Sequence, residues 1–134
     1  NKNKIIKLAI SSTIISFIFA IIYFLIFYLF IDNIIILMTS INSVIVETQN
    51  YALWIIVSPL ISFLSFQMDG IFIGANKTRI MRNTVIISFI IFIISLCILV
   101  PIYENNGLWL SFILFLFFRG VLLATKFKEI FNFN

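Results

Sequence analysis

Long stretches of Ile, Leu, Phe and Val follow one another along this chain, and the polar positions gather in short gaps between them. A helix needs roughly 20 predominantly apolar residues to cross a hydrocarbon core. The pattern divides into four such stretches, at about 8–30, 51–74, 84–100 and 108–125, designated H1 to H4. Many of their residues are β-branched or aromatic and would favour strands in water. In lipid, however, every backbone N–H and C=O must be satisfied within its own segment or in a closed barrel. Barrel strands alternate polar and apolar positions, and these runs do not. The pattern therefore predicts an all-α integral membrane protein with four transmembrane helices.

The stretch between H1 and H2, residues 31–50, mixes apolar residues with Asp32, Asn33, Asn42, Glu47 and Gln49. Its apolar positions Ile34, Ile35, Leu37, Met38, Ile41, Val44 and Ile45 recur at three- and four-residue spacing. That predicts a short helix on the membrane surface or against the bundle. A fifth crossing is the rival reading, and the central apolar stretch is too short for it. Pro59 has no N–H and predicts a kink or loosening in the outer half of H2. "GANKTRIMRN", residues 74–83, is short, basic and led by Gly74, so it predicts a tight turn. A phosphate or lipid-headgroup site is the alternative there, although three cations beside a membrane are ordinary for topology alone.

Composition strengthens the membrane assignment: 134 residues, 63% hydrophobic and 10% charged, with a mean hydropathy of +1.21. A soluble domain of this size leaves too much surface in water to hide so much apolar side chain. The net charge of +4 does not point to nucleic acid, because the cations sit in short clusters beside the apolar runs. Lys2, Lys4 and Lys7 precede H1, Lys77, Arg79 and Arg82 separate H2 from H3, and Lys126 and Lys128 follow H4. The other two connections carry Asp32, Glu47 and Glu104 without Lys or Arg. The positive-inside rule then predicts a multi-pass protein of the cell (inner or plasma) membrane with both termini cytoplasmic. Tyr28, Tyr51, Trp54, Tyr103 and Trp109 lie near the opposite helix ends, where an interfacial aromatic belt belongs.

With no His and a single cysteine, Cys97, the chain lacks the parts for an intramolecular disulfide, an imidazole or thiolate metal site, or Cys/His catalysis. No nucleophile and base pair or phosphate loop of recognisable spacing is present either, so neither an enzyme nor a metal centre is expected. H1 follows its lysines as a signal peptide would, yet it is too long for one and has no small-residue cleavage pattern. A first residue of Asn1 suggests a trimmed chain or a piece of a longer gene product.

Of the Asp, Glu, Lys and Arg side chains, two fall well within the spans, Asp69 in H2 and Arg119 in H4. At about 1.5 Å per residue, Asp69 lies roughly 12 Å before Lys77 and Arg119 roughly 10 Å before Lys126. Their depths match, and a direct or water-bridged pair is possible if H2 and H4 are neighbours. A lone charge there costs at least about 2.5 kcal/mol, so each needs a partner, water or a proton. One reading has Arg119 snorkelling to the inner headgroups and Asp69 at an interfacial turn. The other has a buried pair or protonatable site lining a substrate or ion pathway, with Ser65 and Gln67 beside it. Ser58, Ser62, Ser65 and Asp69 share one face of H2 at steps of four, three and four. Gly70 and Gly74 have GxxxG spacing, for which close helix packing is the favoured reading.

The run "FQMDGIFIGANKTRIMRN" at 66–83, followed by "NNGLWLSFILFLFFRG" at 105–120, resembles the C-terminal part of a MATE (multidrug and toxic compound extrusion) transporter of the DinF-like branch. The DG-x3-GA, MRN, GLW and RG elements carry the resemblance, which covers nearly the whole chain. It implies twelve transmembrane helices in two lobes, with residues 1–134 forming part of the C-terminal lobe and H1 to H4 the last four helices. It also implies export of small organic, often cationic, compounds, driven by protons or sodium and without a further cofactor. Gln67, Asp69 and Gly70 match the family's QxDG element, and Arg119 and Gly120 its last-helix RG element. The N-terminal lobe, with the first-helix carboxylate associated with coupling in this branch, is missing from these residues. The partners implied are therefore the bilayer, the missing N-terminal helices and the exported compound.

Two other functions compete. A small four-helix membrane subunit or assembly protein would act through helix packing alone. A complete four-helix multidrug transporter would be expected to carry a membrane-embedded carboxylate in its first helix, and H1 has none. About eight further transmembrane segments upstream of Asn1 would accompany the exporter, and a start codon near Asn1 the subunit.

Overall fold

The computed structural model describes residues 2–131. Four α-helices and a closing 3-10 helix follow one another: α1 (Lys2–Met38), α2 (Asn42–Asn50), α3 (Ala52–Gly74), α4 (Thr78–Thr125) and η1 (Phe127–Phe131). Among the described residues α1, α3 and α4 are long and apolar enough to cross a membrane. Large apolar side chains stay exposed along α1 and α4, Leu29, Ile98 and Ile102 among them. This is the surface expected where lipid or further protein, not water, surrounds the helices.

A straight helix of 48 residues would be about 72 Å long, more than twice the hydrocarbon thickness. α4 avoids this by turning back on itself at Glu104, whose φ of 51° and ψ of −127° are non-helical. Pro101 lies just before the turn and removes the N–H that would bond the Cys97 carbonyl, which weakens the helix where it must end. The two arms then run side by side, as the rings of Phe92 and Phe115 show with centroids 5.9 Å apart. Glu104 holds a conformation that a Cβ disfavours and glycine adopts freely. Glu104→Gly should therefore stabilise the protein by about 1 kcal/mol, read as a higher thermal midpoint in detergent. Glu104→Ala keeps the Cβ and should give no such gain.

Pro59 leaves α3 continuous from Ala52 to Gly74. The carbonyl deprived of its partner by Pro59 is that of Ile55, and the Ser58 hydroxyl donates to it at 2.9 Å. A neighbouring hydroxyl thus replaces the missing amide inside the helix.

The basic turn is tight, as its composition predicts, but Gly74 does not make it. Gly74 is the last residue of α3, no glycine has a positive φ, and Asn76 takes the left-handed conformation at φ 55°. The Lys77 N–H bonds the Phe72 carbonyl at 2.9 Å and the Asn76 N–H that of Ile73 at 3.0 Å. This pair of bonds is a Schellman closure, and asparagine tolerates its left-handed position better than most residues.

The connection between α1 and α3 also differs from the periodicity of residues 34–45. α1 continues through Asp32 and Asn33 to Met38, and the short helix starts only at Asn42. Polar residues do not end a helix where they remain exposed and find partners, and Asp32 accepts a 2.8 Å bond from Gln49 of α2.

At the end of the bundle that carries the basic turn, Met68, Phe72, Leu123 and Ile130 form a buried cluster, with Ile80, Met81 and Phe127 packed on it. η1 lies here, and Ile5 and Leu8 of α1 share a groove with Gly74, Ala75 and Ile130. The start of α1, the α3–α4 turn and the close of α4 are thus brought to the same end. At the other end, the Trp54 indole donates to the Asn106 side-chain oxygen at 3.0 Å.

Candidate functional site

α3 lies between α1 and α4 and packs on both. Gln67 and Asp69 are two residues apart, which in a helix turns their side chains to nearly opposite faces. Each therefore meets a different neighbour.

On the α1 side, the Gln67 side-chain N–H donates to the Ser12 hydroxyl at 2.7 Å, and the Ser16 hydroxyl donates to the Gln67 side-chain oxygen at 2.5 Å. Ser12 in turn donates to the Ala9 carbonyl at 3.0 Å. Ser12 and Ser16 are four residues apart and so lie one above the other on the helix, which lets one amide grip both. Sequence reading singled out Gln67 and missed these serines, which stand in a polar patch with Ser11 and Thr13 and are marked out from them only by their i,i+4 spacing. Each interhelical hydrogen bond in a membrane contributes about 0.6 kcal/mol on average, with a maximum near 1.7. Gln67→Leu should accordingly lower stability by about 1–2 kcal/mol, measured by thermal unfolding in detergent. Adding Ser12→Ala and Ser16→Ala to Gln67→Leu should cost little more, because the partners are already lost.

On the α4 side, Nη2 of Arg119 lies 2.6 Å from Oδ2 of Asp69, with side-chain exposures of 20% and 13%. Structure thus selects the direct pair over a snorkelling Arg119. Arg119 Nε and Asp69 Oδ1 are buried without a hydrogen-bond partner, as is the hydroxyl of fully buried Ser65. The helices meet closely at this point: a Cβ on Gly120 would lie 2.9 Å from the Ser65 backbone nitrogen. Ser65 and Ser62 are thereby turned into helix contacts, whereas Ser58 serves its own backbone.

The packing role expected of Gly70 and Gly74 is not found among the described residues. A Cβ on either meets nothing within 4 Å, so the face that carries them is open. Close approach is made instead by Gly107 and Gly120, on the second arm of α4. GxxxG spacing marks where a helix can come close and not which helix does so.

Pro59 and Gln67 line a groove of about 420 Å³ between α1 and α3, along with Phe19, Tyr23, Phe63 and Phe66. Of the four residues expected beside a pathway, Gln67 borders this groove, while Ser65, Asp69 and Arg119 are turned between α3 and α4. Among the described residues no three His, Cys, Asp or Glu side chains gather as metal ligands would. The chemistry on offer is charge compensation and hydrogen bonding between helices.

A model of the MatE family matches residues 1–99, most of this chain. The chain belongs to the MatE family. Ser65, Gln67 and Asp69 of this MatE chain lie inside the matched segment, and Arg119 lies beyond it. It is 32% identical over 118 residues to DNA damage-inducible protein F of Escherichia coli (strain K12), across 88% of its own length and 25% of that protein. It thus spans about a quarter of that curated relative. No solved structure matches it.

Proposed function

We propose that this MatE chain is part of the C-terminal lobe of a secondary active exporter, which moves small organic compounds, often cationic, outward as protons or sodium ions move inward. Family membership carries the reading. Its four crossings are α1, α3 and the two arms of α4, with α2 at the outer surface, in a transporter of twelve helices. Gathering of the basic segments at one end of the bundle supports a cytoplasmic location for that end and for both termini.

Alternating access in such transporters is largely rigid-body rocking of one bundle against another. A bundle that rocks as a unit needs helices that do not slide past one another. The Gln67 tie to α1 and the Asp69 tie to α4 serve that need, since both hold α3 near the depth where the helices would otherwise meet through apolar contacts alone.

Expression of the full-length protein in cells stripped of their own exporters tests the proposal. A fluorescent organic cation should accumulate less than in control cells, and collapse of the proton and sodium gradients should restore accumulation. Equal accumulation with and without the protein, repeated in proteoliposomes under imposed gradients, would overturn it in favour of a helix-packing subunit.

A further inference from the structure

We propose that Arg119 is a tethered counter-cation for Asp69, so that this carboxylate is a fixed charge holding α4 against α3 and not a group that takes up and releases the coupling ion. The inference rests on the exporter reading for its functional meaning and on the geometry of the pair for its substance. A carboxylate that carries a mobile proton or sodium ion must be able to exchange partners. Asp69 already has a cation at 2.6 Å. To bind another, it would have to release a guanidinium that stays charged at any physiological pH and that has little water around it.

The backbone that carries Arg119 is held close to α3. The next residue, Gly120, abuts the Ser65 backbone one turn from Asp69, which sets the separation of the two helices at the level of the pair. The two polar atoms left over also belong together. Nε of Arg119 is a donor, Oδ1 of Asp69 is an acceptor, and both are buried without another partner. A guanidinium that already uses Nη2 on one carboxylate oxygen presents Nε to the other, which is the arrangement of a bidentate fork. With that fork closed, the site would be complete without an ion from solution.

The chain's other carboxylates lie elsewhere. Asp32 and Glu47 are in α1 and α2 at the outer end, Glu104 is at the turn of α4, and Glu129 pairs with Lys126 at 2.8 Å in η1. With Asp69 occupied, the described residues offer the coupling ion no carboxylate within the apolar helix interiors.

The test uses the full-length protein in proteoliposomes under imposed proton or sodium gradients, with Asp69→Asn, Arg119→Gln and the two combined. Each single change should lower folded yield or initial efflux by about ten-fold or more, because it strands one buried charge. The double variant should recover to within about three-fold of wild type, with an unchanged ratio of ions to substrate. A double variant that lets the compound run down its own gradient without using the ion gradient would overturn the proposal.

Wild-type protein supplies a second measurement that does not depend on variants folding. A membrane-permeant carbodiimide, which modifies protonated carboxyl groups in apolar surroundings, should leave Asp69 unmodified by peptide mass spectrometry. Modification of Asp69 that the coupling ion suppresses would overturn the assignment. Should the wild type move no compound at all, the exporter reading falls, and the carbodiimide result still decides the role of Arg119.

Discussion

Gly120→Val is expected to be among the most damaging single substitutions in this chain. The added Cβ would lie 2.9 Å from the Ser65 nitrogen and 3.3 Å from the Leu64 carbonyl carbon and the Ser65 Cα. All three are backbone atoms, so no side chain can swing aside to admit it. The second arm of α4 must shift or rotate, and Arg119 is the adjacent residue. Overpacking and a stretched ion pair then act together, and the loss should reach the roughly 3 kcal/mol upper end of ordinary overpacking or exceed it. Thermal unfolding of the full-length protein in detergent measures this, with Gly120→Ala falling between valine and wild type. A valine variant that melts with the wild type would show that the helices do not approach at this point.

Gly107→Val should do comparable harm by a different route. A Cβ there would collide with the Leu99 carbonyl and lie 2.8 Å from the Val100 nitrogen, on the opposite arm of the same helix. The turn at Glu104 is so short that the arms touch through their backbones before side chains intervene. Valine should therefore splay the arms at the turn, at a cost again near or above about 3 kcal/mol. Cysteines placed at Phe92 and Phe115 in a Cys97→Ser background report the consequence, since these rings stand 5.9 Å apart. A short bis-maleimide should bridge them efficiently with Gly107 and poorly with valine. Equal bridging in both would refute this account of the turn.

Much of the helical layout could be read from one dimension, because lipid imposes a nearly one-dimensional rule. Backbone groups must be satisfied within the segment, so runs rich in Ile, Val and Phe, which would favour strands in water, become helices here. Charge clustering likewise foretold which connections share an end of the bundle. The matched depths of Asp69 and Arg119 came from counting residues back from Lys77 and Lys126, which needs only the rise of a helix.

What counting could not supply was direction around the helix axis and choice of neighbour. Which of Gly70, Gly74, Gly107 and Gly120 mediates close approach depends on which face meets another helix, and GxxxG spacing is silent on that. Ser12 and Ser16 were invisible as partners of Gln67 for the same reason, being more than fifty residues away along the chain. The turn at Asn76 turned on a backbone angle and not on the presence of a nearby glycine. α1 ran past Asp32 because an exposed aspartate with a partner on α2 does not stop a helix. The sequence by itself determined that this is a bundle of apolar helices with its cations at one end. Only the tertiary structure decided that α3 is the central helix, tied by Gln67 to one neighbour and by Asp69 to the other, because helix identity is local whereas helix pairing is a contact between residues far apart.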